Sequence, residues 1–123
     1  MIDERVEAHL QGFGETGRKT AVLYGCDAHV CIKQTAFDLL ERGYIVFVVV
    51  DATTSMIASD RNIGIQMLRD AGCQLTTFQS LVFDLIKTSE HPLFRDFLRI
   101  LKDAPDQRMP LDLVTLPEHM TVW

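Results

Sequence analysis

Residues 45–50, Ile45-Val46-Phe47-Val48-Val49-Val50, are apolar without a polar alternate, and five of the six are β-branched. A strand exposed on one face alternates polar and apolar residues. A strand with no alternation is covered on both faces, as a central strand of a parallel sheet is by its crossover helices. Working outward, Val30 to Arg42 reads as a helix, with Ile32, Ala36, Leu39 and Leu40 at helical spacing and Gly43 in the C-terminal cap position. Before it, Thr20 to Tyr24 (TAVLY) reads as a short buried strand, and residues 11–18 (QGFGETGR) as a loop after a first helix marked by Ile2, Val6 and Leu10. On the other side, Asp60 to Ala71 is an amphipathic helix (Ile63, Met67, Leu68, Ala71) stopped by Gly72. Gln74 to Thr77 is a third strand, and Leu81 to Ile86 and Pro92 to Leu101 are helices.

Helices between strands require crossover connections, so the expected class is α/β, a three-layer α/β/α arrangement on a parallel sheet. From residue 103 the periodicity ends, and Pro105, Pro110 and Pro117 fall in a tail, 103–123, expected to be loosely held. TAVLY would be an edge strand, yet it carries neither the charge nor the proline that usually protects an edge. Edge association, or a homo-oligomer, is therefore expected.

Composition narrows the function. Among 123 residues, 47% are hydrophobic and 24% charged, with seven Gly and four Pro, which is globular and not disordered or collagenous. The longest apolar run, Tyr44 to Val50, is far shorter than the ~20 residues of a membrane-spanning helix. The opening MIDERVEAHL is charged and has no apolar core, so it does not read as a secretory signal. Net charge is −5 with no basic run, which argues against nucleic acid as a partner. Three cysteines without framework spacing fit a reducing compartment, and the expected location is cytoplasmic.

Three motifs tempt and fail. Gly12-Phe13-Gly14-Glu15-Thr16-Gly17 matches the dinucleotide fingerprint G-x-G-x-x-G, but that motif must follow a strand and open a helix. Here it precedes a strand. Gly12 to Thr20 also imitates a P-loop, and Arg18 breaks the required Gly-Lys-Thr run. Cys26, His29 and Cys31 could be metal ligands, but no second distant pair completes a structural zinc set. No metal and no cofactor is expected. Asp51, at the end of the central strand, is expected to bond the turn that follows it.

One constellation remains. TAVLY ends at Gly25, and Cys26-Asp27-Ala28-His29-Val30-Cys31 lead into a helix. Ligands of parallel α/β sheets bind beyond the carboxyl ends of the strands. Unpaired N–H groups and the helix dipole at such a place stabilise a thiolate, which can act as a nucleophile. The competing reading is that Cys31 is a small buried core residue, since free Cys is often buried.

The stretch Gly25 to Ile32 resembles the nucleophile segment of the isochorismatase-like cysteine hydrolases, Gly-x-x-[Thr/Ala]-x-x-Cys-[Val/Ile]. Gln34-Thr35-Ala36, Asp38-Leu39-Leu40, Arg42-Gly43-Tyr44, Val48 to Thr53, Asp60-Arg61, Gly72, Thr76-Thr77 and His91 to Arg95 continue the likeness, which covers about residues 18–102. The closing segment is most similar to the small eukaryotic isochorismatase domain-containing proteins. The resemblance implies a six-stranded, mainly parallel sheet and an Asp–Lys–Cys triad whose cysteine is Cys31. It also implies a cis peptide at Cys26–Asp27 and an oxyanion hole formed by the N–H groups of Asp27 and Cys31. A cysteine at this place points to the amidase-like branch, with a small-molecule amide or related carbonyl compound as substrate. The family's Asp and Lys lie upstream of anything matched in these residues, and Asp3, Asp27, Lys19 and Lys33 stand in the wrong places to replace them. Residues 1–102 therefore look like the second half of the domain, with little hydrolase activity expected of this chain. The alternative is a non-catalytic interaction module.

Overall fold

A computed structural model describes residues 2–15 and 17–103; the expected tail lies outside the described residues, apart from its first position, Asp103. By contacts the chain forms two units, one up to Leu81 and one from Val82 onward.

In the first unit, helix α1 (Glu4–Glu15) opens on Asp3, whose Oδ1 accepts the N–H groups of Arg5 (3.0 Å) and Val6 (2.9 Å). It continues through Gly12 and Gly14, where a loop was expected. A glycine costs a helix only about 1 kcal/mol, too little to stop one that is well capped. Strand β1 (Thr20–Cys26), strand β2 (Ile45–Thr54) and strand β3 (Gln74–Thr76) form an open parallel sheet in the order β1-β2-β3. The apolar run at 45–50 is thus the central strand, with Val46, Val48 and Val49 buried.

Two helices between the strands end as their glycines require. Helix α2 (Lys33–Glu41) closes with Gly43 at φ 77, Tyr44 N–H donating to Leu39 (3.0 Å) and Gly43 N–H to Leu40 (2.9 Å). Helix α3 (Ala58–Asp70) repeats the pattern with Gly72 at φ 102, Cys73 to Leu68 (3.0 Å) and Gly72 to Arg69 (3.0 Å). Both are Schellman caps, in which the left-handed residue satisfies the last carbonyls. The core is shared by Ala28, Ile32, Ala36 and Leu39, by Val46 and Val48, and by Ile65, Leu68 and Cys73.

TAVLY is not the buried strand expected. Its residues alternate between exposed and half-buried, and Val22 and Tyr24 remain 40% and 68% exposed. With β1 at the edge of the sheet, no described element covers that face. β1 and β2 also run longer than their apolar cores. The register shifts between Leu23 and Gly25, after which Gly25 pairs with Thr53 and Cys26 with Thr54.

Helix α4 (Phe78–Ile86) begins where Thr77 Oγ1 accepts Ser80 N–H (3.3 Å) and Asp51 Oδ1 accepts Phe78 N–H (2.8 Å). Asp51 therefore holds the start of α4, not the turn after its own strand. In the second unit, Phe83 packs edge-on against Phe97 with ring centroids 5.2 Å apart. Helix α5 (Phe94–Asp103) follows, and it buries Phe97. Among the described residues no helix is long and apolar enough to cross a membrane.

Candidate active site

The segment after β1 does not enter a regular helix at Val30. Ala28–Ile32 forms a π-helical turn, and α2 follows from Lys33. The cause is visible at Asp27, whose carbonyl accepts both Val30 N–H (3.2 Å) and Ile32 N–H (3.1 Å), the second bond closing the wider ring. Gly25 has φ 118, a region that side chains disfavour, and the peptide between Cys26 and Asp27 is cis. Cys31 lies in this turn and is half-buried, Cys26 is exposed and Cys73 is buried. Burial pushes the Cys73 thiol up from its ordinary range.

The turn is seated on residues downstream of β2. Ser55 Oγ accepts Ala28 N–H (3.1 Å) and lies 3.0 Å from His29 Nδ1. On the other side of the ring, His29 Nε2 stands 3.8 Å from Asp60 Oδ2, at the start of α3. One helical turn further, a Cβ on Gly64 would fall 2.7 Å from His29 N and 2.9 Å from the Ala28 carbonyl carbon. Backbone meets backbone there, and only glycine leaves the room.

Arg61, 4% exposed, fixes the segment that carries Ser55. Its Nε donates to the Thr53 carbonyl (2.6 Å) and one terminal nitrogen to the Val50 carbonyl, while Nη1 has no hydrogen-bond partner among the described residues. Burial lowers its pKa. Thr53, itself buried, donates from Oγ1 to the Val49 carbonyl (2.7 Å).

Of the expected site residues, Cys26, Asp27 and Cys31 fall on one continuous segment at the carboxyl end of β1. His29 stands between Ser55 and Asp60, and among the described residues no group of three or more His, Cys, Asp or Glu is placed to hold a metal ion. Of Ser55, Asp60, Arg61 and Gly64, only the pair Asp60-Arg61 falls in the family likeness. For Gly64 the visible signal is a glycine inside an otherwise periodic helix, which calls for a packing reason.

The chain matches the Isochorismatase domain over residues 3–80. It belongs to the isochorismatase family. Isochorismatase domain-containing protein 1 of Danio rerio is 41% identical over 107 residues, covering 86% of this chain and 37% of that protein. A Caenorhabditis elegans structure named MAR1 ribonuclease superposes with a TM-score of 0.75 at 37% identity, covering 89% of this chain and 55% of that one. The Escherichia coli YcaC gene product, described as an octameric hydrolase of unknown specificity, shares the fold at a TM-score of 0.62 and 24% identity, over 78% of this chain and 53% of that one. The chain thus spans between about a third and a little over half the length of these relatives.

Proposed function

We propose that this isochorismatase-family chain carries the nucleophile portion of a cysteine-hydrolase site acting on a small amide or related carbonyl compound. The observation that supports this most is the place of Cys31, half-buried in a turn at the carboxyl end of a parallel strand. In the proposed reaction the Cys31 thiolate attacks the carbonyl carbon, and the N–H groups of Asp27 and Cys31 bind the oxyanion. The C–N bond then breaks, the amine leaves with a proton, and water hydrolyses the thioester to return acid and free thiol. The resemblance assigns the activating Asp and Lys to sequence upstream of the matched residues, so the 123-residue chain alone turns over amides poorly.

An activated ester separates the two claims, because its leaving group needs no general acid. With p-nitrophenyl acetate, the acetyl group should be found by mass spectrometry on Cys31, and nicotinamide and carbamoyl substrates should remain unhydrolysed. Preferential acetylation of Cys73 or Cys26 counts against the nucleophile. Amide turnover that disappears in Cys31→Ala counts against the dependence on residues outside this chain.

A non-catalytic role is favoured by one specific observation, the β1 edge, which no strand among the described residues covers and which exposes Val22 and Tyr24; it suits pairing between copies of the chain. RNA cleavage enters through the name of the Caenorhabditis elegans neighbour, and the net charge of −5 speaks against it here.

A further inference from the structure

We propose that His29 is a positioning residue for Cys31, working as one unit with Ser55 and Asp60; the inference rests on Cys31 being the nucleophile. His29 and Cys31 share the five-residue π-helical turn Ala28–Ile32. A π turn is a rare and poorly self-stabilised conformation, so the surroundings must hold it. Three contacts do so. Ser55 Oγ binds the first N–H of the turn and the His29 ring, Asp60 faces the opposite ring nitrogen, and Gly64 admits α3 against the turn's backbone.

The hydrogen-bond bookkeeping is consistent in one tautomer. With its proton on Nε2, His29 presents N–H toward the Asp60 carboxylate and an acceptor at Nδ1. Ser55 then donates to Nδ1 while accepting from Ala28 N–H, so both capacities of the hydroxyl are used. The imidazole therefore links the exit of β2 to the start of α3 through the turn that bears Cys31. Two residues along that turn, the direction of the Cys31 Sγ and of its own N–H depends on the same backbone. Loosening the His29 link spreads those directions and lowers the fraction of time in which thiol and N–H groups converge on one reacting atom.

The test compares the three thiols within one molecule. The 123-residue chain is pulsed with iodoacetamide and the adducts on Cys26, Cys31 and Cys73 are quantified by peptide mapping. His29→Ala and Ser55→Ala are each expected to lower the Cys31-to-Cys26 labelling ratio by roughly two- to tenfold, the size of one lost hydrogen bond. The double variant should lose less than the two single losses combined, because the bond between Ser55 and His29 is counted in both. Ser55→Thr keeps the hydroxyl, and the amide oxygen of His29→Asn keeps an acceptor near the Nδ1 position, so both should restore part of the ratio. A merely structural role predicts instead increased labelling of the buried Cys73 and no rescue, and that outcome overturns the proposal. So does a Cys31 that is reactive but indifferent to His29 and Ser55, which leaves the nucleophile reading standing. A Cys31 no more reactive than Cys26 in the unsubstituted chain overturns both.

Discussion

Gly64→Ala tests how tightly α3 seats the nucleophile turn, because two effects of opposite sign compete. In an open helix this change stabilises by about 0.5–1 kcal/mol, since alanine loses less backbone entropy than glycine. At position 64 the new methyl would lie 2.7 Å from His29 N, 2.8 Å from His29 Cα and 2.9 Å from the Ala28 carbonyl carbon, against ordinary contacts of 3.4 Å or more. All three atoms are main chain, so no rotamer change relieves the overlap. Either α3 or the turn must retreat by several tenths of an ångström. Overpacking of a fitted contact costs about 1–3 kcal/mol, which outweighs the helix-propensity gain and leaves a net loss of about 1–2 kcal/mol.

For a domain of this size each kcal/mol shifts Tm by about 4–8 °C, so a fall of about 5–15 °C is expected in thermal unfolding followed by circular dichroism. The same displacement should slow Cys31 alkylation, since the turn carrying it moves. Gly12→Ala supplies the control: that glycine lies in α1 with open space around its Cβ position, and the change should leave Tm unchanged or raise it. A Gly64→Ala chain as stable as the unsubstituted one would refute the close seating of α3 on the turn.

Arg61→Lys and Arg61→Met should each lower the urea midpoint by an amount corresponding to about 2–4 kcal/mol, because buried carbonyls at Val50 and Thr53 lose their forked donor. An unchanged midpoint in Arg61→Met would mean that desolvating the guanidinium costs as much as its bonds return. Stability should also fall at alkaline pH through Cys73. Its folded pKa is raised by burial, so the unfolded chain releases the proton first, and stability present below the unfolded thiol's pKa is lost as pH rises toward the folded value. Cys73→Ala should remove that component of the pH dependence, as chemical denaturation at pH 7 and pH 10 can show. At the edge strand, consecutive amides point in opposite directions, so of Val22 and Leu23 one faces β2 and the other faces away. Hydrogen exchange should protect only one of them in a monomer, and protection of both, with a larger species in sedimentation, would show the edge paired.

The sequence carried the sheet well because its signals are local and one-dimensional. The run at 45–50 has no alternation, and Gly43 and Gly72 each stop a helix where a left-handed residue is needed. The misreadings have physical causes. Gly12 and Gly14 look like loop residues, but α1 is carried past them from its Asp3 cap. TAVLY looks buried because apolar residues fill both faces, whereas burial depends on what stands opposite, and β1 is an edge. Asp51 was read against its nearest turn, and its partner is Phe78 N–H, 27 residues away. For the candidate site, the strand end, the turn and the family pattern all direct attention to Cys31. Asp60 lies within the family likeness, but its relation to His29, like those of Ser55 and Gly64, is made by packing α3 across the turn and leaves no fixed spacing to read.

That arrangement separates two properties usually lost together. The groups that hold the nucleophile turn, Ser55, Asp60 and Gly64, with Arg61 behind them, all follow β1 in the chain and fall within residues 55–64. The family resemblance places the activating Asp and Lys upstream of the matched residues. On the proposed reading, geometry of the thiol and activation of the thiol have different sources. On that reading, residues 20–64 present Cys31 in a shaped turn and do not complete a hydrolytic cycle, because presentation needs only hydrogen bonds and packing, whereas turnover needs a base and a cation at the reacting atoms. A chain of this kind should acquire a covalent mark from an activated acyl donor and then keep it. Slow loss of the acetyl group from Cys31, measured by intact mass over hours, is the signature expected, and rapid deacylation would place a water-activating group among these 123 residues.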